Sequence, residues 1–421
     1  MDVAVAATIF VTTYALIATD RIDKTVAALL GGLAMIVLRV IDQETAFHAI
    51  DFNVIFLLAG MMALAGTLRR TGFFQWVAIR SVKVAGGDPF RLIVVLSVVA
   101  AGLSAFLDNV TTVVLIAPVT LYIAMTLRVS PFPFLVSEIL ASNIGGTATL
   151  IGDPPNILIG SASGLDFAAF LGTMAPAALL VFVAFVVTVR FFFRGALEVH
   201  AEVRDAVLAL DEREVLTDPR LLRISLVVIG LTIVGFLVHG VLGYEPATIA
   251  LLGAAALMLV TRSDPAEVLR EIEWPTVFFF VGLFMLVEGV VEVGIINAIA
   301  AGLFDLTAGD QSITTIGLLW LSGVASAIVD NIPYTAAMIP VVRELGAQGL
   351  AVEPLWWSLA LGACLGGNAT IIGASANVVV ANLAGRAGHP ITFRGFLPYG
   401  LVVVVESLVI SSAYLWVRFL R

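Results

Sequence analysis

Acidic and amide residues occur twice at the same spacing inside apolar sequence. The stretch 104–119 reads SAFLDNVTTVVLIAPV, and the stretch 326–341, which lies 222 residues later, reads SAIVDNIPYTAAMIPV. Six of the sixteen aligned positions are identical, among them the dipeptides Asp108-Asn109 and Asp330-Asn331. A carboxylate within a membrane is costly unless it has a partner, and it usually marks an ion or solute pathway. The two dipeptides therefore predict sites at which the protein handles a solute or an ion.

A second polar segment is also present twice. The stretch 144–156 reads IGGTATLIGDPPN and the stretch 365–377 reads LGGNATIIGASAN, with seven of thirteen positions identical. Glycine pairs and Pro154-Pro155 end helices, since proline lacks a backbone N–H and forces the residue before it out of helical geometry. Each segment predicts a broken helix whose free backbone ends can bind a solute or ion. The second copy lacks the prolines, so we expect a gentler break there. Asp153 aligns with Ala374 and has no acidic equivalent.

The polar side chains of these four segments form the predicted site. Amides and hydroxyls are expected to contact the solute, and carboxylates to carry protons or a cation. The candidate solute-binding residues are Asn109, Thr111, Thr112, Asn143, Thr147, Thr149, Asn156, Asn331, Thr335, Asn368 and Asn377. The candidate coupling residues are Asp108, Asp153 and Asp330. A structural alternative stays open for all three acids, because an aspartate at a helix N-cap accepts hydrogen bonds from free backbone N–H groups.

The composition places these segments in a membrane. Of the 421 residues, 60% are hydrophobic and only 13% are charged, which is too little polar surface to cover a water-soluble globule. Apolar runs long enough to span a bilayer recur along the chain, and the first lacks the basic start and cleavage site of a signal peptide. We therefore predict an all-α integral membrane protein. The single cysteine, Cys364, excludes an intrachain disulfide and a cysteine metal cluster.

The chain consists of two copies of one unit. Besides the quoted motifs, Ala28-Leu29-Leu30-Gly31 aligns with Ala250-Leu251-Leu252-Gly253 at the same offset. If each repeat holds about five spanning helices, a re-entrant helical hairpin and a broken helix, the odd number of crossings inverts the second repeat. The predicted units are a first repeat at 1–193 (hairpin about 91–127, broken helix about 134–160), a charged linker at 194–223, and a second repeat at 224–421 (hairpin about 313–342, broken helix about 354–380).

The positions of lysine and arginine agree with inversion. The segment 69–91 carries five basic residues, whereas the equivalent segment 292–312 carries none. An extracytoplasmic N-terminus would place all basic residues on the cytoplasmic side except Arg39, Arg343, Arg418 and Arg421. We therefore predict a multi-pass protein of the cytoplasmic membrane with its N-terminus outside and the linker in the cytoplasm.

The repeated motifs resemble the ArsB/NhaD branch of the ion transporter superfamily, which also contains the melanosomal P protein. The similarity extends over both halves, and the string Gly-Asp-Pro-Pro-Asn at 152–156 is its most specific part. The resemblance implies two inverted repeats, each with a re-entrant hairpin and a broken helix, around a central substrate site. We expect no cofactor. Divalent anion/sodium symporters are similar in layout but have Ser-Asn-Thr at the hairpin tips. The Asp-Asn tips of this chain therefore argue against a sodium-coupled dicarboxylate carrier.

The first functional hypothesis is proton-coupled export of arsenite or antimonite by alternating access. Arsenite near neutral pH is an uncharged trihydroxide, which suits a site of amides and hydroxyls. The alternatives are a Na⁺/H⁺ antiporter of the NhaD type, a carrier of another small anion, or a channel. The expected partners are a small inorganic solute or ion, H⁺ or Na⁺, and lipid, but not nucleic acid; a soluble ATPase subunit stays open. An intramembrane aspartyl protease is excluded, because the acids lack its Tyr-Asp and Gly-x-Gly-Asp contexts.

Overall fold

A computed structural model describes residues 2–19, 21–193, 212 and 214–421. Over these residues the chain forms α-helices joined by turns, with a short 3₁₀ turn at Ile371–Gly373 and a π-helical end at Trp416–Leu420. The helices before the linker are α1 (Asp2–Thr19), α2 (Lys24–Val37), α3 (Gln43–His48), α4 (Phe52–Arg69), α5 (Phe73–Ala85), α6 (Pro89–Ser104), α7 (Asn109–Thr126), α8 (Phe132–Gly146), α9 (Pro154–Ser163) and α10 (Phe167–Phe192). Those after it are α11 (Pro219–Leu242), α12 (Pro246–Thr261), α13 (Pro265–Leu269), α14 (Trp274–Glu292), α15 (Ile295–Leu306), α16 (Gln311–Ser326), α17 (Asn331–Ala347), α18 (Val352–Gly366), α19 (Ser375–Arg386) and α20 (Phe393–Leu415).

The second set of helices repeats the first in order, so that each helix from α1 to α10 has its equivalent ten helices later. The predicted all-α fold with an internal repeat is thus confirmed. Six of the described helices are long and apolar enough to cross a membrane, namely α4, α7, α10, α11, α14 and α20 with its π-helical end. The helices α5 and α15 lie within the segments 69–91 and 292–312, for which no helix is predicted from the sequence. Most of the linker, 194–211 and 213, lies outside the described residues, and its predicted last residues belong to the start of α11.

Contacts between the repeats show that the second repeat is inverted. The end of α4 meets the segment just before α14, where Arg69 pairs with Glu271, and Arg70 pairs with Glu267 at 2.7 Å. The end of α4 therefore lies on the same side of the molecule as the start of α14. Because these two helices are equivalent in the repeats, one repeat is inverted relative to the other. Helix α2 also begins on that side and runs parallel to α14. The hydrogen bond from Thr25 Oγ1, at the start of α2, to the Pro275 carbonyl oxygen, at the start of α14, indicates this (3.0 Å).

Glycines allow the helices of the two repeats to pack closely. A Cβ on Gly282 of α14 would lie 2.5 Å from the backbone of α2 at Ala28 and Leu29. In the equivalent pair, a Cβ on Gly60 of α4 would lie 2.8 Å from the backbone carbon of Ala250 on α12. Small residues at such crossings permit the backbone approach that stabilises helix association in lipid. The repeats are therefore interlocked through two symmetry-related helix pairs.

The residue before the new helix has the same backbone conformation at both breaks, which gives no support to the expectation of a gentler second break. The residue before each new helix is extended, with φ −142° and ψ 132° at Asp153 and φ −146° and ψ 144° at Ala374. Both breaks fold on a glycine pair, since a Cβ on Gly152 would lie 2.5 Å from the Gly146 carbonyl oxygen, and one on Gly373 would lie 2.8 Å from that of Gly367. Backbone contact between glycines, present in both repeats, sets the break, and the prolines are not needed for it.

Candidate solute-binding site

The tips of both hairpins and both breaks meet at the centre of the molecule. Helices α7 and α17 begin there with Asn109 and Asn331, while α8 and α18 end there and α9 and α19 begin there. We call the buried polar side chains at this point the central cluster; each of them is at most 3% exposed. Its members are Asn109, Asn143, Asp153, Asn156, Asn331, Cys364, Asn368 and Asn377.

Asn143 on α8 joins the two repeats in the central cluster. Its Nδ2 donates to the Oδ1 atoms of Asn368 and Asn377, both at 2.9 Å. Its own Oδ1 accepts a hydrogen bond from Asn109 Nδ2 at 3.1 Å. Four amides, from α7, α8, the turn after α18 and α19, are thus connected directly, although Asn109 and Asn377 are far apart in the sequence. Such a network can exchange hydrogen bonds with a small hydroxylated solute because amides both donate and accept.

Asp153 is the carboxylate of the central cluster. Asn331 Nδ2, from the opposite repeat, lies 3.2 Å from its Oδ1 and 3.3 Å from its Oδ2. Although Asp153 occupies the N-cap position of α9, its side chain makes no capping hydrogen bond. The capping alternative for Asp153 is therefore wrong. Pro155 removes the N–H at the second helical position, and the Asn156 N–H donates to the Asp153 backbone carbonyl oxygen at 2.9 Å. The carboxylate is thus left to bond to the other repeat.

Two equivalent asparagines hold the breaks in shape. Asn156 Nδ2 donates to the carbonyl oxygens of Thr149 at 2.8 Å and Thr147 at 3.2 Å. Asn377 Nδ2 donates to those of Gly367 and Thr370, both at 2.8 Å. These amides satisfy carbonyls that the interrupted helices leave without partners. Their Nδ2 groups are occupied in this way, and their side-chain oxygens face the central cluster.

Three of the five predicted threonines donate to backbone carbonyl oxygens around the central cluster and not to its side chains. Thr147 and Thr335 donate to the carbonyl oxygens of Asn143 and Asn331, each at 2.8 Å. Thr149 donates to the Ala105 carbonyl oxygen. Thr112 is buried with no partner for its hydroxyl among the described residues. Thr111 lies away from the cluster, where it lines a small cavity beside α14.

The other two candidate acids cap helices at the hairpin tips. Asp108 Oδ1 accepts from the Thr111 backbone N–H at 2.8 Å, and Asp330 Oδ1 accepts from that of Ile332 at 3.1 Å. The capping role considered for these two acids is therefore present. Asp330 additionally pairs with Lys24 of α2 at 3.3 Å and accepts a hydrogen bond from Ser375 at 2.7 Å.

Sequence reasoning missed three residues of the site. Cys364, which is not among the candidate residues, donates from Sγ to Asn156 Oδ1 at 3.4 Å and is fully buried in the central cluster. The repeat alignment carried the signal, because Cys364 aligns with Asn143, which contacts the equivalent asparagine. The alignment also gives a signal for Ser375, because it occupies the position of Pro154 in the first repeat and, unlike proline, has a side chain that can donate a hydrogen bond. For Lys24 nothing in the local sequence indicates a contact 306 residues away.

Two symmetry-related cavities lie on opposite sides of the central cluster. The larger, of about 190 Å³, lies beside Asp51, Glu288, Ala336 and Arg343. The smaller, of about 30 Å³, lies beside Arg69, Val114, Glu271 and Glu273. Val114 and Ala336 are equivalent positions of the two hairpins. The Arg69–Glu271 pair closes the smaller cavity, whereas Val291 and Ala49 occupy the equivalent positions at the larger one, so the structure is more open on the side of Arg343.

The helical fold with an internal repeat and a central polar site is that of a membrane transporter. The same fold occurs in the crystal structure of the YdaH transporter of Alcanivorax borkumensis, with a TM-score of 0.58 and 15% sequence identity over 89% of this chain and 88% of that one. At this identity the likeness concerns the fold alone. The family model described as citrate transporter matches residues 14–362. The chain therefore belongs to the citrate transporter family.

Curated relatives agree with this class. An uncharacterized transporter of Mycobacterium tuberculosis is 45% identical, with 99% of this chain and 98% of the relative covered. The 46 kDa membrane protein of Mycobacterium leprae is 43% identical over 99% of both chains. The human P protein is 33% identical over 99% of this chain and 60% of its own length. The similarity to the P protein is confirmed, the protein is a transporter rather than an enzyme, and the narrower ArsB/NhaD assignment stays a prediction.

Proposed function

We propose that this chain is a secondary active transporter that exchanges protons for a small solute held in the central cluster, with Asp153 carrying the proton. The observation that supports this most is the bond between Asp153 and Asn331, which belong to different repeats. A movement of the repeats that separates α9 from the start of α17 breaks this bond. The carboxylate then changes partners as access changes, which is the requirement for coupling a proton to alternating access.

The proposed solute is an uncharged trihydroxide such as arsenite or antimonite, moved out of the cell across the cytoplasmic membrane. The central cluster offers amide donors and acceptors from both repeats and one thiol, Cys364. Its described members include no Lys, Arg or His. Free citrate, the substrate in the family description, carries several carboxylates and would enter without a cationic partner there, so we do not propose it.

A Na⁺/H⁺ exchanger is the second candidate. Asp153 and the side-chain oxygen of Asn156 are oxygen ligands of the kind that hard cations prefer, and both lie in the central cluster. In that case Na⁺ and H⁺ would compete for Asp153. Transport of H⁺ that needs Na⁺ but no added solute would favour this candidate over the first.

The proton-carrying role of Asp153 is tested by Asp153→Asn. The amide can still bond to Asn331 but cannot take up and release a proton. We expect purified Asp153→Asn to remain folded and to lose solute-driven proton movement, by about 100-fold or more, in liposomes that contain a pH-sensitive dye. Asp305→Asn, which changes an exposed acid on α15, is the matched control and should keep wild-type coupling. Unchanged coupling in Asp153→Asn would contradict the assignment.

The solute is tested in the same liposomes with arsenite, antimonite, citrate and NaCl supplied in separate experiments. Proton movement that saturates with arsenite or antimonite is the expected result, together with lower cellular arsenic when the protein is produced in an arsenite-sensitive bacterium. A saturable response to citrate alone would overturn the proposed solute. A response to NaCl alone would favour the exchanger.

A further inference from the structure

The two hairpin tips have the same Asp-Asn sequence but different surroundings. At the second tip, Asp330 Oδ2 accepts hydrogen bonds from Ser375 Oγ at 2.7 Å and from Lys24 Nζ at 3.3 Å. Lys24 Nζ also donates to Ser375 Oγ at 2.5 Å, so the three groups form a closed set. The Asp330 side chain is only 12% exposed and that of Lys24 is 31% exposed.

The first tip lacks both partners. The position equivalent to Lys24 is Pro246, and the position equivalent to Ser375 is Pro154. Neither proline can donate a hydrogen bond from its side chain. Within the described part of the chain, no Lys or Arg forms an ion pair with Asp108. The two tips therefore differ in their charged partners, because a lysine of the other repeat pairs with Asp330 and no basic residue among the described residues pairs with Asp108.

Lys24 brings its charge from the opposite repeat and holds it in a fixed place. It begins α2 of the first repeat, and its ammonium lies 5.2 Å from the ring centroid of Phe279 on α14. A cavity of about 270 Å³ adjoins the ammonium, and Ser375 and Asp330 line it as well. Asp23, the N-cap residue of α2, also lines this cavity. The Asp330 carboxylate and the Ser375 hydroxyl contact the Lys24 ammonium directly, as oxygen ligands would contact a bound monovalent cation.

We propose that Lys24 is a tethered cation that occupies the second tip permanently, so that only the first tip and Asp153 exchange ions during transport. The protein thus uses one of two symmetric ion positions and fills the other with its own side chain. This lowers the number of ions coupled to each solute by one relative to a fully symmetric transporter. The inference rests on the proposed function in assuming that a coupling ion is moved, but its test does not need the solute.

The test compares Lys24→Met with Lys24→Arg and the wild type as purified proteins. Lys24→Met keeps the length and apolar contacts of the side chain and leaves Asp330 and Ser375 open to the cavity. We expect Lys24→Met to gain a stabilisation of about 3 °C or more in Tm on replacing choline chloride with NaCl, or a new pH dependence of Tm between about pH 5 and 8. Lys24→Arg should behave like the wild type.

A folded Lys24→Met with the same Na⁺ and pH dependence as the wild type would overturn the proposal. If Lys24→Met does not fold, the double variant Lys24→Met/Asp330→Asn removes both charges and is expected to fold without any gain in Na⁺ or pH dependence. A double variant that still gains such a dependence would place the new ion elsewhere and also overturn the proposal. Since Tm is measured without solute, failure of the proposed solute leaves this result interpretable.

In liposomes, the matching expectation is a coupling ratio that is higher by one ion per solute in Lys24→Met than in the wild type. The ratio is obtained from the membrane potential at which net transport of the solute stops. An equal ratio in a folded and active Lys24→Met would contradict the tethered-cation role, whereas loss of coupling in Asp153→Asn tests the proposed function separately.

Discussion

At the scale of single residues, asparagines form most of the polar contacts in the site, where charged residues are often used in transport proteins. Asn143 connects the repeats, Asn331 bonds to the only acid of the central cluster, and Asn156 and Asn377 bond to the carbonyls of the breaks. An amide satisfies backbone groups and solute hydroxyls alike without the cost of burying a charge. The chemistry of the site therefore depends on where amide atoms point, which is decided by backbone carbonyls a few residues away.

The role of Asn377 can be tested through stability. Asn377→Ala removes the donor to the Gly367 and Thr370 carbonyl oxygens and leaves both buried groups without it. We expect a loss of about 1–3 kcal/mol, seen as a Tm lower by several degrees in detergent. Asn297→Ala, an exposed change on α15, is the control and should leave Tm within about 1 °C. Equal melting of both variants would show that the break does not depend on this amide.

At the scale of elements, pairs of helices from opposite repeats hold the molecule together. The pairs α2 with α14 and α4 with α12 have glycine at their crossing points, and the hairpins contact the broken helices of the other repeat. Because each repeat completes the packing of the other, neither forms a separate core. This arrangement also carries Asn331 to Asp153 and Lys24 to Asp330.

The crossing of α2 and α14 is tested by Gly282→Ala. The added methyl group would lie 2.5 Å from the backbone of α2, so the helices must separate. We expect a clear loss of stability, on the order of 1–3 kcal/mol, measured as Tm in detergent. Gly317→Ala on α16 is the matched control, since a Cβ there meets nothing within 4 Å and alanine favours a helix. A Gly282→Ala protein as stable as Gly317→Ala would contradict the close crossing.

At the scale of the whole molecule, inversion turns equivalent cavities toward opposite sides of the membrane. The ion pairs Arg69–Glu271 and Arg70–Glu267 hold the repeats together on one side, and a cavity of about 190 Å³ is present on the other. Movement of the repeats that opens the first side and closes the second would exchange the two arrangements. The predicted orientation assigns the ion pairs to the cytoplasmic side.

The orientation and the open side are tested together by cysteine labelling of cells and inverted vesicles. The wild type, in which Cys364 is fully buried, is labelled in parallel to give the background. We expect Val291→Cys, in the larger cavity, to react with a membrane-impermeant thiol reagent added outside cells. Val114→Cys, in the smaller cavity, should react only in inverted vesicles and at least several-fold more slowly. Labelling of Val114→Cys from outside would reverse the predicted orientation.

The membrane class, the internal repeat, the four polar interruptions and their amides could be predicted from the amino-acid sequence alone. These features follow from the local composition and from the comparison of the two halves, both of which can be obtained directly from the amino-acid sequence. Three features became apparent only in the tertiary structure: Asp153 bonds to Asn331 and does not cap α9, the backbone is extended at both breaks, and Lys24 pairs with Asp330. The physical reason is distance along the chain. Each of these features depends on a contact between backbone segments or repeats whose relative placement no local pattern encodes.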